Sequence, residues 1–158
     1  MSSHAHENVL PPGALRLAGA LVGATLALVL SVQAGFLQRA PTAAELRAET
    51  GVTPVVERLL RFSDRSDGAV VVTDVRTGAE VAAIGREGGG FIRGVMRGLA
   101  RERRMHHSGA ETPFRLTAWR DGALSLTDTA TGRTIELGSF GHTNREAFAR
   151  LLTAKEGA

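Results

Sequence analysis

The chain has no cysteine and no tyrosine, and only one tryptophan (Trp119) and six phenylalanines among its 158 residues. Without cysteine it cannot form disulfides, thiolate zinc sites, iron–sulfur clusters or a thiol nucleophile. So few aromatic rings leave little surface for stacking nucleic-acid bases. Lysine is nearly absent too: 18 of the 19 basic residues are arginine, and the formal net charge is only +3. A nucleic-acid binder usually carries a larger and more lopsided excess, so we expect no nucleic-acid partner.

Charge is missing altogether from one long segment, the 22 residues from Leu17 to Gln38. A helix of about 20 apolar residues crosses the hydrocarbon core of a bilayer, and lipid leaves the backbone no other partner for its polar groups. We therefore predict a short tail at 1–13, a transmembrane helix at 14–38 and a connector at 39–54, with one helical turn within 43–49.

Two alternatives to a membrane span remain open. The Val32-Gln33-Ala34 tripeptide has small residues suited to signal-peptide cleavage before Gly35, although the apolar segment is long for a signal peptide. A buried helix of a soluble protein would need a large surrounding core. The positive charges flanking the span nearly balance, so they leave its orientation open.

The span contains a GxxxG pair, Gly19 and Gly23, which lets another helix backbone approach closely. The alternative explanation of the pair is that glycine and alanine are common in this chain. No histidine lies between Leu17 and Gln38, so the span has no imidazole for a haem iron or a chlorophyll magnesium.

The rest of the chain contains an internal repeat. Residues 67–78 align with residues 121–132 at a constant offset of 54, and seven of the twelve positions are identical. In each copy an Asp-Gly pair predicts a tight turn, an alternating apolar run predicts a strand, and a Thr-Gly pair predicts the next turn. Repeats of this kind usually represent one supersecondary unit used twice.

The pattern extends to three strands and a helix in each half. We predict strands at 57–62, from Val70, at 80–84, at 113–119, from Leu124 and at 133–137, with helices at 90–105 and 144–154. Thr143 and Glu146 form a capping box before the second helix. The predicted fold is α+β: one N-terminal transmembrane helix, then a soluble domain (55–158) of two tandem β3-α repeats, about 55–107 and 111–158, with both helices on one face.

The predicted helix at 90–105 carries arginines at spacings of four, four and three, which places them along one face. Glycines at 90, 94 and 98 form an adjacent strip, and a glycine inside a helix costs about 1 kcal/mol relative to alanine. One interpretation is packing on the sheet with a solvated arginine face. The other is a docking surface for phosphate head groups or for carboxylates of a membrane protein. The candidate protein-binding residues are Gly19, Gly23, Gly90, Phe91, Arg93, Gly94, Arg97, Arg101 and Arg104.

No pattern points to catalysis, a cofactor or a metal. The five histidines lack metal-ligand spacing, and the repeated aspartates have a sufficient explanation as turn residues. The glycine run at 88–90 before a helix is an anion site in principle, but a hinge is the commoner explanation. We therefore expect no enzymatic activity, no cofactor and no metal.

These residues resemble those of the photosynthetic complex assembly protein family PuhC of purple phototrophic bacteria, over nearly all of 14–153. The motifs that carry the resemblance are Arg61-Phe62, Asp64-Arg65 and Asp67-Gly68; Gly90-Phe91-Ile92-Arg93-Gly94 with Arg97, Leu99, Arg101 and Arg103; Pro113-Phe114; Trp119 with Asp121-Gly122; Asp128 with Thr131-Gly132-Arg133; and Phe140-Gly141 with Asn144, Ala147 and Phe148. The glycine–arginine helix is the most specific of them.

The resemblance implies a single-span protein of the photosynthetic inner membrane, with a cytoplasmic N-terminus and a periplasmic domain. It implies a factor for assembly or stability of the reaction centre with its core light-harvesting 1 antenna, whose polypeptides and membrane lipids would be its partners. The alternative is a membrane-anchored periplasmic module that binds anionic lipid or a small ligand.

Overall fold

The computed structural model describes residues 11–37, 39–87 and 89–154, which divide into two compact units after residue 42. In chain order the elements are α1 (Pro12–Gln33), α2 (Ala43–Thr50), β1 (Pro54–Asp64), β2 (Val70–Asp74), β3 (Glu80–Ile84), α3 (Gly90–Met105), β4 (Phe114–Trp119), β5 (Leu124–Asp128), β6 (Thr134–Glu136), a 3₁₀ helix (Leu137–Phe140) and α4 (His142–Thr153).

The first unit contains α1, whose length and apolar composition are sufficient for a helix that crosses a membrane. Its 22 residues rise about 33 Å at the helical repeat. Every residue of α1 is exposed or nearly so, and the helix contains Gly19 and Gly23.

The end of α1 corrects the predicted span of 14–38. Gly35 adopts a φ of +78°, and its N–H donates to the Val32 carbonyl at 3.1 Å. The Phe36 N–H donates to the Ser31 carbonyl at 2.9 Å. These two bonds form a Schellman motif, which ends the helix because a left-handed glycine reverses the chain. Phe36 therefore lies beyond the helix, and position 38 lies outside the described residues, as does most of the predicted tail.

The second unit is built on one antiparallel sheet with the strand order β3-β2-β1-β4-β5-β6. β1 joins the two three-strand meanders, since Leu60 lies opposite Asp74 in β2 and opposite Phe114 in β4. The α+β prediction is confirmed. β1 is longer than the predicted 57–62 because it pairs on both sides, whereas β6 is shorter than 133–137 because the chain turns into the 3₁₀ helix.

Both long helices of this unit pack on one face of the sheet. Alternate residues of the central strands point to that face and are buried, as period two requires. The fully packed core residues are Leu60 and Val72, Leu116 and Leu126, Ile92 and Leu99 of α3, and Phe148 and Leu151 of α4.

The opposite face of the sheet receives α2, so residues 43–50 are more than the predicted connector with one turn. Arg47 is only 6% exposed. Its guanidinium lies 4.5 Å from the ring centroid of Trp119 and forms an ion pair with Glu136. A cation over an indole and a paired carboxylate together hold α2 on β4 and β6.

The two halves carry the same hydrogen bonds in their turns. In each turn an aspartate carboxylate accepts from the backbone N–H two residues ahead, as Asx turns do. These bonds are Asp67–Ala69 (2.8 Å), Asp121–Ala123 (2.9 Å), Asp74–Arg76 (2.8 Å) and Asp128–Ala130 (2.9 Å).

The start of α4 differs from the prediction. The helix begins at His142 rather than at residue 144, and Gly141 is its N-cap without any side-chain hydrogen bond. The prediction of a Thr143–Glu146 capping box is therefore wrong. Asn144 instead donates from Nδ2 to the Phe140 carbonyl at 2.9 Å, which joins α4 to the preceding 3₁₀ helix.

Candidate docking surface

α3 has two distinct sides. Its inner side buries Ile92 and Leu99, and Phe91 lies 5.8 Å from the ring of Phe148 in an edge-to-face arrangement. Its outer side is formed by exposed residues, which we call the arginine–glycine face. The members of this face are Gly90, Gly94, Gly98, Arg97, Arg101 and Arg104.

The glycines of this face are open to solvent. Apart from the neighbouring backbone of α3 itself, no atom of the described residues lies within 4 Å of where a Cβ would stand at Gly90, Gly94 or Gly98. The sequence suggested that something approaches these glycines closely. Among the described residues nothing does, so the internal packing of this domain does not require glycine at these three positions.

The three arginines of the face have no partner within the part of the chain that the structure describes. No ion pair or hydrogen bond of the Arg97, Arg101 or Arg104 side chains is recorded within residues 11–37, 39–87 and 89–154. A guanidinium stays charged at any physiological pH and offers five N–H donors in a planar fork. The face therefore presents three unneutralised charges suited to carboxylates or phosphates.

Arg93, predicted as part of the same ladder, has a structural role. It is partly buried, and its Nη2 donates to the carbonyls of Gly68 (2.7 Å), Ile84 (3.0 Å) and Gly85 (3.2 Å). These bonds fix the first turn of α3 to the β1–β2 turn and to the end of β3. Phe91 likewise contributes mainly to packing, since its ring lies 5.1 Å from that of Phe140.

Arg103 is buried, unlike its neighbour Arg104. The sequence identified it only as a motif residue of the resemblance and gave no sign that it forms a buried ion pair. It is 5% exposed, and its Nη2 and Nε donate to the carboxylate of Asp128 at 2.7–3.0 Å. Its guanidinium also lies 3.9 Å from the ring centroid of Phe114. Because Asp128 is 0% exposed, the pair is withdrawn from water.

The pKa of Asp128 lies below its usual range. Burial by itself would raise the pKa, but the hydrogen bonds from Arg103 and from the Ala130 N–H, together with the positive charge of Arg103, lower it by more. Asp128 is therefore ionised at neutral pH. It serves as a turn residue, as predicted, and also as the counter-ion of Arg103.

A second buried pair joins Arg58 of β1 to Asp74 of β2. Arg58 Nε donates to Asp74 at 2.6 Å, and its Nη1 donates to the carbonyls of Leu151 and Ala154, both at 2.9 Å. Those two carbonyls end α4, where a cation is favourable. Burial tends to raise the pKa of Asp74, but the bonds from Arg58 and the Arg76 N–H lower it overall.

Two cavities flank α3. One, of about 540 Å³, runs along the glycines and is bounded by apolar groups that include Phe91, Ile135 and Phe140. The other, of about 440 Å³, lies on the far side of the helix, against β1 and β2. Arg97 and Arg104 line the second cavity, whereas Arg101 lines neither.

The other predicted residues lie apart from this face. Gly19 and Gly23 belong to α1, in the first unit. Apart from the helix's own backbone, no described atom lies within 4 Å of a Cβ built at either position. His4 and His6 lie outside the described residues. Within the described ranges, no group of three or more His, Asp or Glu side chains could hold a metal.

Comparison with known proteins places these features in a family. No curated protein and no solved structure matches the chain. The model of one protein family, described as photosynthetic complex reorganisation protein PuhC, matches residues 55–156. The match includes the six strands, apart from Pro54 at the start of β1, and the helices α3 and α4. Since this match extends over more than half of the 158 residues, the chain belongs to the PuhC family of photosynthetic complex reorganisation proteins.

Proposed function

We propose that this protein is a membrane-anchored accessory or assembly factor of the photosynthetic reaction centre–light-harvesting 1 complex, and that it acts by protein–protein contact rather than by catalysis. The observation that carries the proposal is the arginine–glycine face of α3. It combines three unpaired arginines with a strip on which a partner backbone can approach closely. Membership of the PuhC family supports the photosynthetic context.

The chemistry of the face defines its partner. Three unneutralised guanidinium groups favour a partner that offers carboxylates, and the glycine strip favours a helix packed at short distance. Acidic polypeptide segments of the reaction centre or antenna would meet both requirements. Arg93 and Phe91 would contribute indirectly, by holding α3 in place.

Two substitutions of glycine test the contact. Replacing Gly94 and Gly98 by alanine should stabilise the isolated protein, by up to about 1 kcal/mol each, because there is room for both methyl groups. The same change should reduce co-purification with the photosynthetic complex, because the added methyl groups keep a partner helix away. Unchanged co-purification would contradict close packing on this strip.

A charge reversal tests the arginines. Arg97→Glu, Arg101→Glu and Arg104→Glu together should lower the amount of protein that co-purifies with the complex, and should lower the yield of the complex. Arg115→Glu is the matched control, since Arg115 is an exposed arginine on the opposite face of the sheet. If both variants behave like the wild type, the docking surface lies elsewhere.

We propose that α1 is the anchor, with the N-terminus in the cytoplasm and the sheet domain in the periplasm, and that Gly19 and Gly23 pack against a partner helix. The absence of cysteine makes the orientation testable. A cysteine introduced at Ala110 should react with an impermeant maleimide in intact spheroplasts, and one at Ser3 only after lysis. The reverse pattern would overturn the orientation.

We further propose that the sheet domain consists of two copies of one unit, about 55–107 and 111–158. The offset of 54 in the sequence and the matching Asx bonds of both turn pairs support this origin.

The same face could instead rest on anionic lipid, the second candidate, which its unpaired arginines also favour. Flotation with vesicles separates the two candidates. Binding that requires only anionic lipid, without complex polypeptides, would favour the lipid-binding module.

A further inference from the structure

The cavity of about 440 Å³ between α3 and the sheet is a second candidate site, which shares Arg97 and Arg104 with the arginine–glycine face but not Arg101 or the glycines. Its volume falls within the range of small-molecule sites. Its walls divide into an apolar part and a cationic part. The apolar part is formed by Phe62, Val70, Met96, Ala100 and Phe114.

The cationic part carries an excess of charge. Arg93, Arg97 and Arg104 line the cavity, while Arg103 in its wall is neutralised by Asp128. Asp64 is the acidic residue in this lining, and its negative charge offsets one of the three positive charges. Three arginines against one carboxylate leave a positive cavity, which favours an anion.

The bonding of Arg93 is a second indication that this cavity favours an anion. Its guanidinium bonds only to backbone carbonyls, which do not neutralise its charge. Its Nε is buried and has no acceptor among the residues that the structure describes. No carboxylate in the described part of the chain compensates the positive charge of Arg93, and a nearby anion would do so.

We propose that this cavity binds an anionic amphiphile, an alkyl chain carrying a phosphate or carboxylate head. The head lies among Arg93, Arg97 and Arg104, and the chain packs against Met96, Ala100 and the phenylalanines. This site goes beyond the proposed docking function, because Arg101 belongs to the docking face but does not line the cavity.

Calorimetric titration of decyl phosphate into the full-length protein, held in phosphatidylcholine nanodiscs, tests the site. Arg97→Gln and Arg104→Gln should each weaken binding by about tenfold or more, since each removes a charge-assisted hydrogen bond. Arg101→Gln is the matched control and should bind as the wild type does. Equal effects at all three positions would overturn the proposal, because they would indicate a diffuse charged surface.

The role of the alkyl chain is tested separately. Ala100→Phe fills the cavity without changing its charge and should weaken decyl phosphate binding, whereas inorganic phosphate alone should bind far more weakly than decyl phosphate. If inorganic phosphate binds as tightly, the site is a simple anion patch and the proposal fails.

A competition experiment distinguishes a membrane lipid from a free amphiphile as the natural ligand. Displacement of decyl phosphate when phosphatidylglycerol is added to the nanodisc would support the site and identify a membrane lipid. Retention of decyl phosphate would support the site and identify a free amphiphile. The two proposals can fail independently. If the combined Arg97→Glu, Arg101→Glu and Arg104→Glu variant co-purifies normally, the docking proposal fails, but the proposal of a ligand in this cavity does not.

Discussion

Replacing Asp128 by asparagine should remove a large part of the stability of the sheet domain. The change keeps the shape of the side chain but leaves the guanidinium of Arg103 buried without a counter-ion. Breaking a buried ion pair by removing one partner costs about 3–5 kcal/mol. For a domain of this size we expect the midpoint of thermal unfolding to fall by roughly 10–20 °C.

The measurement is unfolding of the full-length protein in detergent micelles, followed by the fluorescence of Trp119, the only tryptophan. Asp121→Asn is the matched control, because Asp121 accepts the same kind of turn hydrogen bond, at 2.9 Å, but is exposed. Adding Arg103→Met to Asp128→Asn should recover part of the loss, since no unpaired charge then remains. Equal destabilisation by the Asp121 and Asp128 variants would refute the role of the ion pair.

The same pair predicts a dependence on pH. The pKa of Asp128 is lower in the folded protein than the value of about 3.9 expected for the unfolded chain. Its contribution is therefore fully present above the unfolded pKa, and it is lost as the pH falls through the folded pKa. Asp128→Asn should make the unfolding midpoint less sensitive to acid below about pH 4. An unchanged acid profile would contradict this assignment.

Three further substitutions test other contacts of the second unit. His107 adopts a φ of +53° at the end of α3, so His107→Gly should raise the urea midpoint by the equivalent of about 1 kcal/mol, whereas His106→Gly, at a right-handed position, should not. Gly89→Ala should destabilise the protein, because the residue has a φ of +69° and an added methyl group would overlap Cγ2 of Ile84; a melting temperature equal to that of the wild type would refute this. Arg58→Met should speed amide hydrogen exchange in the last turn of α4, and exchange at the wild-type rate would show that the Arg58 bonds do not hold that end.

Most of the fold was accessible from the sequence because its signals are local. Period-two alternation and the Asp-Gly and Thr-Gly pairs place the strands, and α3 has the predicted bounds of 90–105. The pairing of β1 with β4, which turns two meanders into one sheet, was not predicted. It joins residues that are far apart in the chain, such as Leu60 and Phe114, and leaves no periodic signal.

Boundaries that depend on one residue's conformation were harder to predict. The composition of α1 remains apolar past Gly35, so hydropathy alone extended the helix beyond the Schellman motif. α2 was treated as part of a connector because its eight residues show little amphipathic pattern. It is held by Arg47, whose partners Trp119 and Glu136 lie more than 70 residues away in the chain.

The candidate site was predicted as a face but not residue by residue. The spacing of the arginines identifies one side of α3, yet it does not distinguish Arg93, which bonds to loop carbonyls, from Arg97, which has no recorded partner. It also passes over Arg103, one residue before the exposed Arg104. Which arginine is neutralised depends on long-range contacts such as that with Asp128, which spacing along one helix does not contain.

Arg93 and Arg103, the two arginines of α3 that form hydrogen bonds, fix the helix that carries the exposed arginines. Arg93 ties the first turn of α3 to Gly68 in the first half of the domain, and Arg103 ties its last turn to Asp128 in the second half. α4 is also bonded to both halves, but in the opposite order. Arg145 in its first turn donates to the Gly122 carbonyl in the second half, and the carbonyl of Ala154 at its end accepts from Arg58 in the first half. Because both ends of α3 are fixed, its outer face is a rigid surface, and a partner binding there loses little conformational entropy from this helix. Asp128→Asn should therefore weaken co-purification with the photosynthetic complex even at temperatures where the protein stays folded, although Asp128 itself is buried. Full co-purification of that variant would show that the face docks without a rigid support.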